Sequence, residues 1–169
     1  MTNMITAQQL VETYSLLPHP EGGYYRETYR SEGTIPAEAL PGFNGSRHYA
    51  TAIFFLLEQG NFSAFHRIRS DECWHFYAGQ TMYVHVLHPS GQLETVLLGN
   101  DMQSGTRFQY TVPAGCWFAS ETAPGSSFAF VGCTVSPGFD FADFELAHAA
   151  ELAGIYPDHA DLINRLCLQ

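Results

Sequence analysis

A mainly-β domain, an antiparallel barrel or sandwich with a helix before it and helices after it, is the architecture this sequence predicts. Three observations carry the prediction. From Phe62 onward, short apolar runs are broken at Gly79, Pro89-Ser90-Gly91, Gly99-Asn100, Gly105, Pro113-Ala114-Gly115 and Pro124-Gly125, the spacing of short antiparallel strands. Arg47 to Glu58 (RHYATAIFFLLE) is a strongly apolar strand candidate. Apolar residues make up 46% of the 169 positions, with 13 Phe and 9 Tyr, which suits an ordered globule with a sizeable core. One domain over 1–169 is expected, with a β core at about 22–136 and a helical segment at about 140–166.

The elements follow in order. Thr6-Ala7-Gln8-Gln9 fits a capping box, and Leu10, Tyr14 and Leu17 recur at helical spacing until Pro18 and Pro20 stop the helix. Glu21-Gly22-Gly23 is a turn. Tyr24 to Arg30 (YYRETYR) reads as a strand, with Tyr24, Arg26, Thr28 and Arg30 on one face and Tyr25, Glu27 and Tyr29 on the other. Ser31 to Ser46, with Pro36, Pro41 and several glycines, reads as a long surface loop. Ser136-Pro137-Gly138 closes the β region, and helices are predicted around Phe141–Ala153 and Asp158–Leu166.

Composition excludes several function classes. The net charge of −10 argues against nucleic-acid binding, which needs a basic face, and against adsorption to anionic membranes. No apolar run approaches the roughly 18 residues of a membrane span. The N-terminal stretch MTNMITAQQLVETY lacks a basic segment followed by an apolar one, so a cytoplasmic location is expected. The basic side chains are all arginine, and without lysine there is no Schiff-base nucleophile of that type. Cys73, Cys116, Cys133 and Cys167 have neither C-x-x-C nor zinc-finger spacing and are expected as free, mostly buried thiols. The acidic residues between Asp140 and Asp161 are expected on a solvated helix face.

The stretch Gly60 to Gly79, GNFSAFHRIRSDECWHFYAG, carries the chemistry. It follows the first motif of the cupin superfamily, G-x5-H-x-H-x3,4-E-x6-G, through Gly60, His66, Glu72 and Gly79, but Ile68 stands at the second histidine. The second motif, G-x5-P-x-G-x2-H-x3-N, survives in Pro113 and Gly115. Phe118 replaces its histidine, Thr122 replaces its asparagine, and Gly105 lies two residues too far upstream. The phrases PHPEGGYYRETYRS, TAIFFLL, HRIRSDECWHFYAG, VPAGCWFAS and VGCTVSPGFDFADFELA, from about Leu17 to Ala147, resemble the uncharacterised cupin-five family. The resemblance implies a double-stranded β-helix (a jelly-roll barrel). It also implies likeness in fold to sugar-nucleotide epimerases, and pairing into a homodimer. It carries no settled activity.

Metal-binding cupins draw His, His and Glu from the first motif and a third His from the second. Only His66 and Glu72 remain here, which falls short of the three protein ligands of catalytic zinc or the facial triad of non-haem iron. In a regular strand His75 points away from Glu72 and Trp74, so it does not complete the set. The reading is therefore no metal and no cofactor, with His66 and Glu72 as an acid–base pair hydrogen-bonded to one another on the inner barrel wall.

The epimerases carry a tyrosine as partner acid, and Tyr49, Tyr83 and Tyr110 are the candidates here. Trp74, Trp117 and Phe118 are expected to line an aromatic cavity suited to sugar or base rings. Arg26 and Arg47 are expected to clamp a carboxylate or phosphate. Arg67 and Arg69 alternate away from His66 toward the surface. A small-molecule ligand is thus the expected partner. Three activities fit it: an isomerase or epimerase that works without metal, on a carbohydrate-like or anionic compound; a non-catalytic binding or sensing module; and, third, a metal-dependent oxygenase or isomerase.

Overall fold

The computed structural model describes residues 5–168; residues 1–4 and 169, which the single-domain expectation takes in, lie outside them. Helix α1 (Ala7–Tyr14) begins with the predicted capping box. The Gln9 N–H donates to Thr6 Oγ1 at 3.2 Å, and the Thr6 N–H donates to Gln9 Oε1 at 3.0 Å. The strands follow as β1 (Leu17–Pro18), β2 (Tyr24–Arg30), β3 (Thr34–Ile35), β4 (Arg47–His48), β5 (Thr51–Glu58), β6 (Phe62–Arg67) and β7 (Asp71–Gly79). They continue as β8 (Met82–Leu87), β9 (Leu93–Leu98), β10 (Gln109–Val112), β11 (Trp117–Thr122), β12 (Phe128–Ser136) and β13 (Glu145–Leu146). Helices α2 (Ala149–Ile155) and α3 (Ala160–Arg165) close the chain.

Two antiparallel sheets, ordered β1-β2-β5-β12-β7-β10 and β13-β6-β11-β8-β9, make the jelly roll, and β3 pairs with β4 in a separate ribbon. The non-sequential neighbours are what a double-stranded β-helix requires: β5 lies between β2 and β12, and β11 between β6 and β8. Strand alternation then sorts every residue. Phe55, Leu57, Trp74, Phe76, Val84, Val86, Phe118 and Val131 point between the sheets and form the main core.

The outer face of the smaller sheet offers Phe65, Leu87, Trp117 and Ala119, which Leu152, Ile163 and Leu166 of the C-terminal segment cover. Leu10 and Leu16, from α1 and just beyond it, cover Leu56, Phe128 and Phe130 on the outer face of the larger sheet. Both terminal segments are therefore lids on the barrel, placed by ordinary apolar burial. The four cysteines are free thiols. Among the described residues no helix is long and apolar enough to cross a membrane.

Three predicted elements differ. The expected loop 31–46 contains β3 and a 3-10 turn at Ala37–Ala39. The expected strand 47–58 breaks at Tyr49 and Ala50 into β4 and β5. The expected helix at Phe141–Ala153 is a 3-10 turn (Phe141–Asp143), strand β13 and only then α2. There the tertiary context overrides helical periodicity, because β13 adds to the edge of the smaller sheet with Leu146 opposite His66. Asp140 meanwhile caps the 3-10 turn through the Ala142 N–H.

Candidate functional site

The site begins in the loop between β1 and β2. His19-Pro20-Glu21-Gly22-Gly23 is wound tightly: the His19 N–H donates to Gly23 O at 2.9 Å, and the Gly22 N–H donates to His19 O at 3.0 Å. The Ala64 N–H of β6 donates to Glu21 O at 2.8 Å, so the loop is fastened to the inner strand. Gly22 and Gly23 sit at φ +111° and +78°. A Cβ on Gly22 would stand 2.0 Å from Phe62 O, and one on Gly23 would stand 2.7 Å from Leu56 O. Only glycine allows this approach. Its consequence is to drive the Glu21 side chain into the barrel.

There Glu21 meets His66. His66 Nε2 lies 3.0 Å from Glu21 Oε2, and its Nδ1–H donates to the Ala64 carbonyl at 2.7 Å. Both side chains are buried. Burial disfavours charge on each, yet each overcomes it through the other. The Glu21 charge and hydrogen bond raise His66 above its ordinary value, and His66 lowers Glu21 below the usual carboxylate range. Both shifts run in the direction that favours an imidazolium–carboxylate ion pair.

Glu72, on β7 of the other sheet, is left without that stabilisation. Burial pushes its carboxyl up to about 7; the His66 cation opposes this and the Glu21 anion adds to it. The Cys133 thiol beside Glu72 is raised well above its ordinary value, first by burial and then by Glu72, so it stays protonated. Two carboxyl groups thus face one imidazole with their proton affinities pushed apart, the arrangement that separates an acid from a base in one site.

These groups open into a cavity of about 520 Å³ whose walls include Tyr25, Ile53, Phe139, Phe141 and Phe144, with Arg26 and Arg30 at the rim. Arg30 is occupied by a bidentate pair with Glu27, at 2.9 and 2.7 Å. Arg26 donates to the Tyr14 carbonyl at 3.1 Å and has no carboxylate partner among the described residues. It is a cation at the cavity's edge that no carboxylate among the described residues neutralises.

His66, Glu72 and Arg26, named from the sequence, therefore come together around one cavity. The expected hydrogen bond between His66 and Glu72 does not form, because both ring nitrogens are taken by Glu21 and Ala64. Arg47 is buried and spends its guanidinium on Asp143, at 2.7 Å for both contacts, and on the Asn44 and Ser46 carbonyls; it braces a loop and reaches no ligand.

Trp117 and Phe118 are adjacent in a strand and cannot share a face. Phe118 packs at 4.1 Å on the His66 ring inside, while Trp117 lies outside under Arg67, at 4.5 Å. Trp74 is buried in the core, edge-on to Phe55 and Phe118, and does not line the cavity.

Tyr83 is on the outer face beside His85, Tyr49 is exposed over Gly33, and Tyr110 donates to Glu94 at 2.9 Å. None of the three reaches the cavity; the tyrosine in its wall is Tyr25. Sequence reasoning missed Glu21, His19 and Tyr25. The signal available was the acid followed by two glycines, which marks a backbone forced close to another strand.

The cupin fold implies a metal, and the donor set here does not fit one. Phe118 and Ile68, both apolar, occupy two of the ligand positions, and both His66 nitrogens are engaged. Among the described residues no group of three or more His, Cys, Asp or Glu side chains is arranged to hold an ion.

Comparison with known proteins places the chain. It is 33% identical to Uncharacterized protein YML079W of Saccharomyces cerevisiae, over 86% of this chain and 84% of that one. A hypothetical protein from Leishmania major superposes with a TM-score of 0.89 and 35% identity, over 98% of this chain and 100% of the other. Protein SO0799 from Shewanella oneidensis gives 0.87 and 41%, over 98% and 99%. The family model Cupin_5, described as Cupin superfamily (DUF985), matches residues 8–147, and the chain belongs to that family.

Proposed function

We propose that this cupin is a proton-transfer isomerase or epimerase that acts without a bound metal on a small carbohydrate-like or anionic metabolite. The observation that supports it is the pair of unequal carboxyl groups, Glu21 and Glu72, around the buried His66 at the wall of one cavity. A group with its pKa near 7 is partly ionised at neutral pH, the best compromise between availability and strength for general acid–base work. The Glu72 carboxylate takes a proton from a carbon next to a carbonyl, and the C–H electron pair moves into the enolate. In an isomerisation the resulting acid returns the proton to the neighbouring carbon of the enediolate, while the hydroxyl proton passes to the former carbonyl oxygen. In an epimerisation the enolate turns so that its other face meets the acid. The His66 imidazolium, fixed by Glu21, supplies a positive charge beside the developing anion. Arg26 at the rim suits an anionic substituent on the substrate.

A second reading, a binding or sensing module, is favoured by the engagement of both His66 nitrogens, which leaves the ring unable to exchange protons directly. One experiment separates the two. The full chain is incubated in heavy water with a panel of phosphorylated and nucleotide sugars, and proton spectra follow the loss of carbon-bound hydrogen while calorimetry follows binding. Deuterium incorporation into a bound compound supports the enzyme. Saturable binding of a compound whose acidic C–H never exchanges sinks that reading in favour of the module.

We also infer a homodimer formed through the outer face of the larger sheet, where Tyr29 and Tyr77 are 55% and 53% exposed. Light scattering of the intact chain would refute this by returning the mass of a monomer.

A further inference from the structure

His19 has a role that neither motif assigns. Its side chain is only 7% exposed, and it lines the same cavity as Glu72. Its Nδ1 accepts the Glu21 backbone N–H at 3.2 Å, so that nitrogen carries a lone pair and not a proton. The nearer Glu21 carboxylate oxygen is 3.7 Å from Nδ1, beyond hydrogen-bonding reach. The proton of the neutral ring must then sit on Nε2. Among the described residues Nε2 has no protein acceptor, and it is not one of the atoms sealed in the core. It is a donor that opens to the cavity.

The ring is also rigid. Tyr25 meets it edge-on at 4.5 Å, with Phe55 and Phe144 at 6.0 and 6.4 Å, and its own backbone is clamped in the Gly22–Gly23 turn. Burial holds its pKa below the ordinary value; the Glu21 charge opposes this and the His66 cation adds to it. At neutral pH the ring is an uncharged N–H donor facing the cavity.

We propose that His19 is the electrophile of this site, its Nε2–H donating to the carbonyl oxygen of a small carbonyl compound, an aldose, ketose or 2-keto acid. This rests on the proton-transfer reading above and names its substrate class. A carbonyl oxygen entering the cavity meets this N–H already aimed at it by the fixed ring. The donor draws electron density from the carbonyl, so the adjacent C–H becomes more acidic. As the Glu72 carboxylate removes that proton, the C–H pair forms the C=C bond, the carbonyl π pair moves onto oxygen, and the Nε2–H bond to it strengthens. Return of the proton, to the neighbouring carbon of an enediolate or to the other face of the same carbon, collapses the enolate back to a carbonyl, so no oxidant or reductant is needed.

The test uses the full chain labelled with ¹⁵N-histidine, and dihydroxyacetone and pyruvate as probes with glycerol as the reduced control. Long-range ¹H–¹⁵N spectra at neutral pH are expected to show His19 as the Nε2–H tautomer. Either carbonyl probe should move that proton downfield saturably, and glycerol should not. His19→Phe keeps a ring against Tyr25 and should weaken probe binding at least tenfold, with His19→Gln restoring part of it through its amide N–H. An imidazolium or Nδ1–H tautomer, or His19 signals unmoved by both carbonyl probes, overturns the proposal even if the variants fail to fold. A shifted Nε2–H without deuterium exchange keeps His19 as the donor and sinks the proton-transfer reading. Glu72-dependent exchange with His19 unmoved does the reverse.

Discussion

Glu21→Gln is expected to lower proton exchange at pH 7 by at least about a hundredfold and to cost roughly 3 kcal/mol of stability. Burial disfavours the His66 cation, and the Glu21 charge is the largest influence opposing burial. With glutamine in place the remaining support is Glu72 and the Ala64 carbonyl, so His66 releases its proton and accepts an amide N–H from residue 21 instead. That release keeps the loss at the lower end of the ~3–5 kcal/mol seen when one partner of a buried pair is removed.

Glu72 then loses two opposed neighbours at once, the cation that lowers its pKa and the anion that raises it. Burial then acts against only the Cys133 hydrogen bond, and Glu72 holds its proton to higher pH. The base is absent at pH 7, and the rate should recover partly as the pH is raised. Stability has its own signature. The lowered Glu21 contributes above the ordinary carboxylate range and is lost as pH falls through its native value, whereas the raised His66 contributes below its ordinary value and is lost as pH rises through its native one. The gap between wild type and variant should therefore be widest around neutrality and narrow at both ends. Urea titrations from acid to alkaline pH measure it; a variant within about 0.5 kcal/mol of wild type throughout would mean that Glu21 and His66 are not a charged pair.

What the sequence revealed depended on how locally each feature is encoded. The barrel was legible because strand breaks, apolar runs and the Gly60–Gly79 spacing are all short-range signals. His66 and Glu72 were legible because one motif fixes both on the inner wall. Trp117 and Phe118 were legible in principle: the period of two forbids adjacent residues from sharing a face, and that rule sends Trp117 outward.

Glu21 was a different case. Its partner lies on another strand, and the loop that delivers it owes its path to two glycines whose meaning appears only once Phe62 and Leu56 are seen beside them. Arg47 failed as a ligand clamp for the same reason. Nothing near it in sequence announces that Asp143 will take both arms of its guanidinium.

Glu72→Gln should be the more informative variant, because activity and stability move in opposite directions. Glutamine matches the shape of the neutral carboxylic acid, and burial favours that neutral form, so the fold accepts it. In the wild type, a pKa of about 7 in the native state against an ordinary value of 4.5 means that the folded chain holds this proton more tightly than the unfolded one. That contribution is complete below about pH 4.5 and is lost as pH rises through 7, about 3 kcal/mol in all. The variant has no such slope. It should match wild type at acid pH and exceed it by up to about 3 kcal/mol above pH 7, as thermal or urea unfolding across pH 4 to 8 will show.

Proton exchange should meanwhile fall by roughly 10²–10⁴, with ligand affinity changed only a few fold, since the amide neither takes nor gives a proton. A carboxylate kept where it weakens the native state at neutral pH is a cost that a merely structural residue has no reason to carry. If the two stability curves instead run parallel from pH 4.5 to 8, Glu72 titrates as an ordinary surface acid does, and the acid–base reading of this cavity loses its central group.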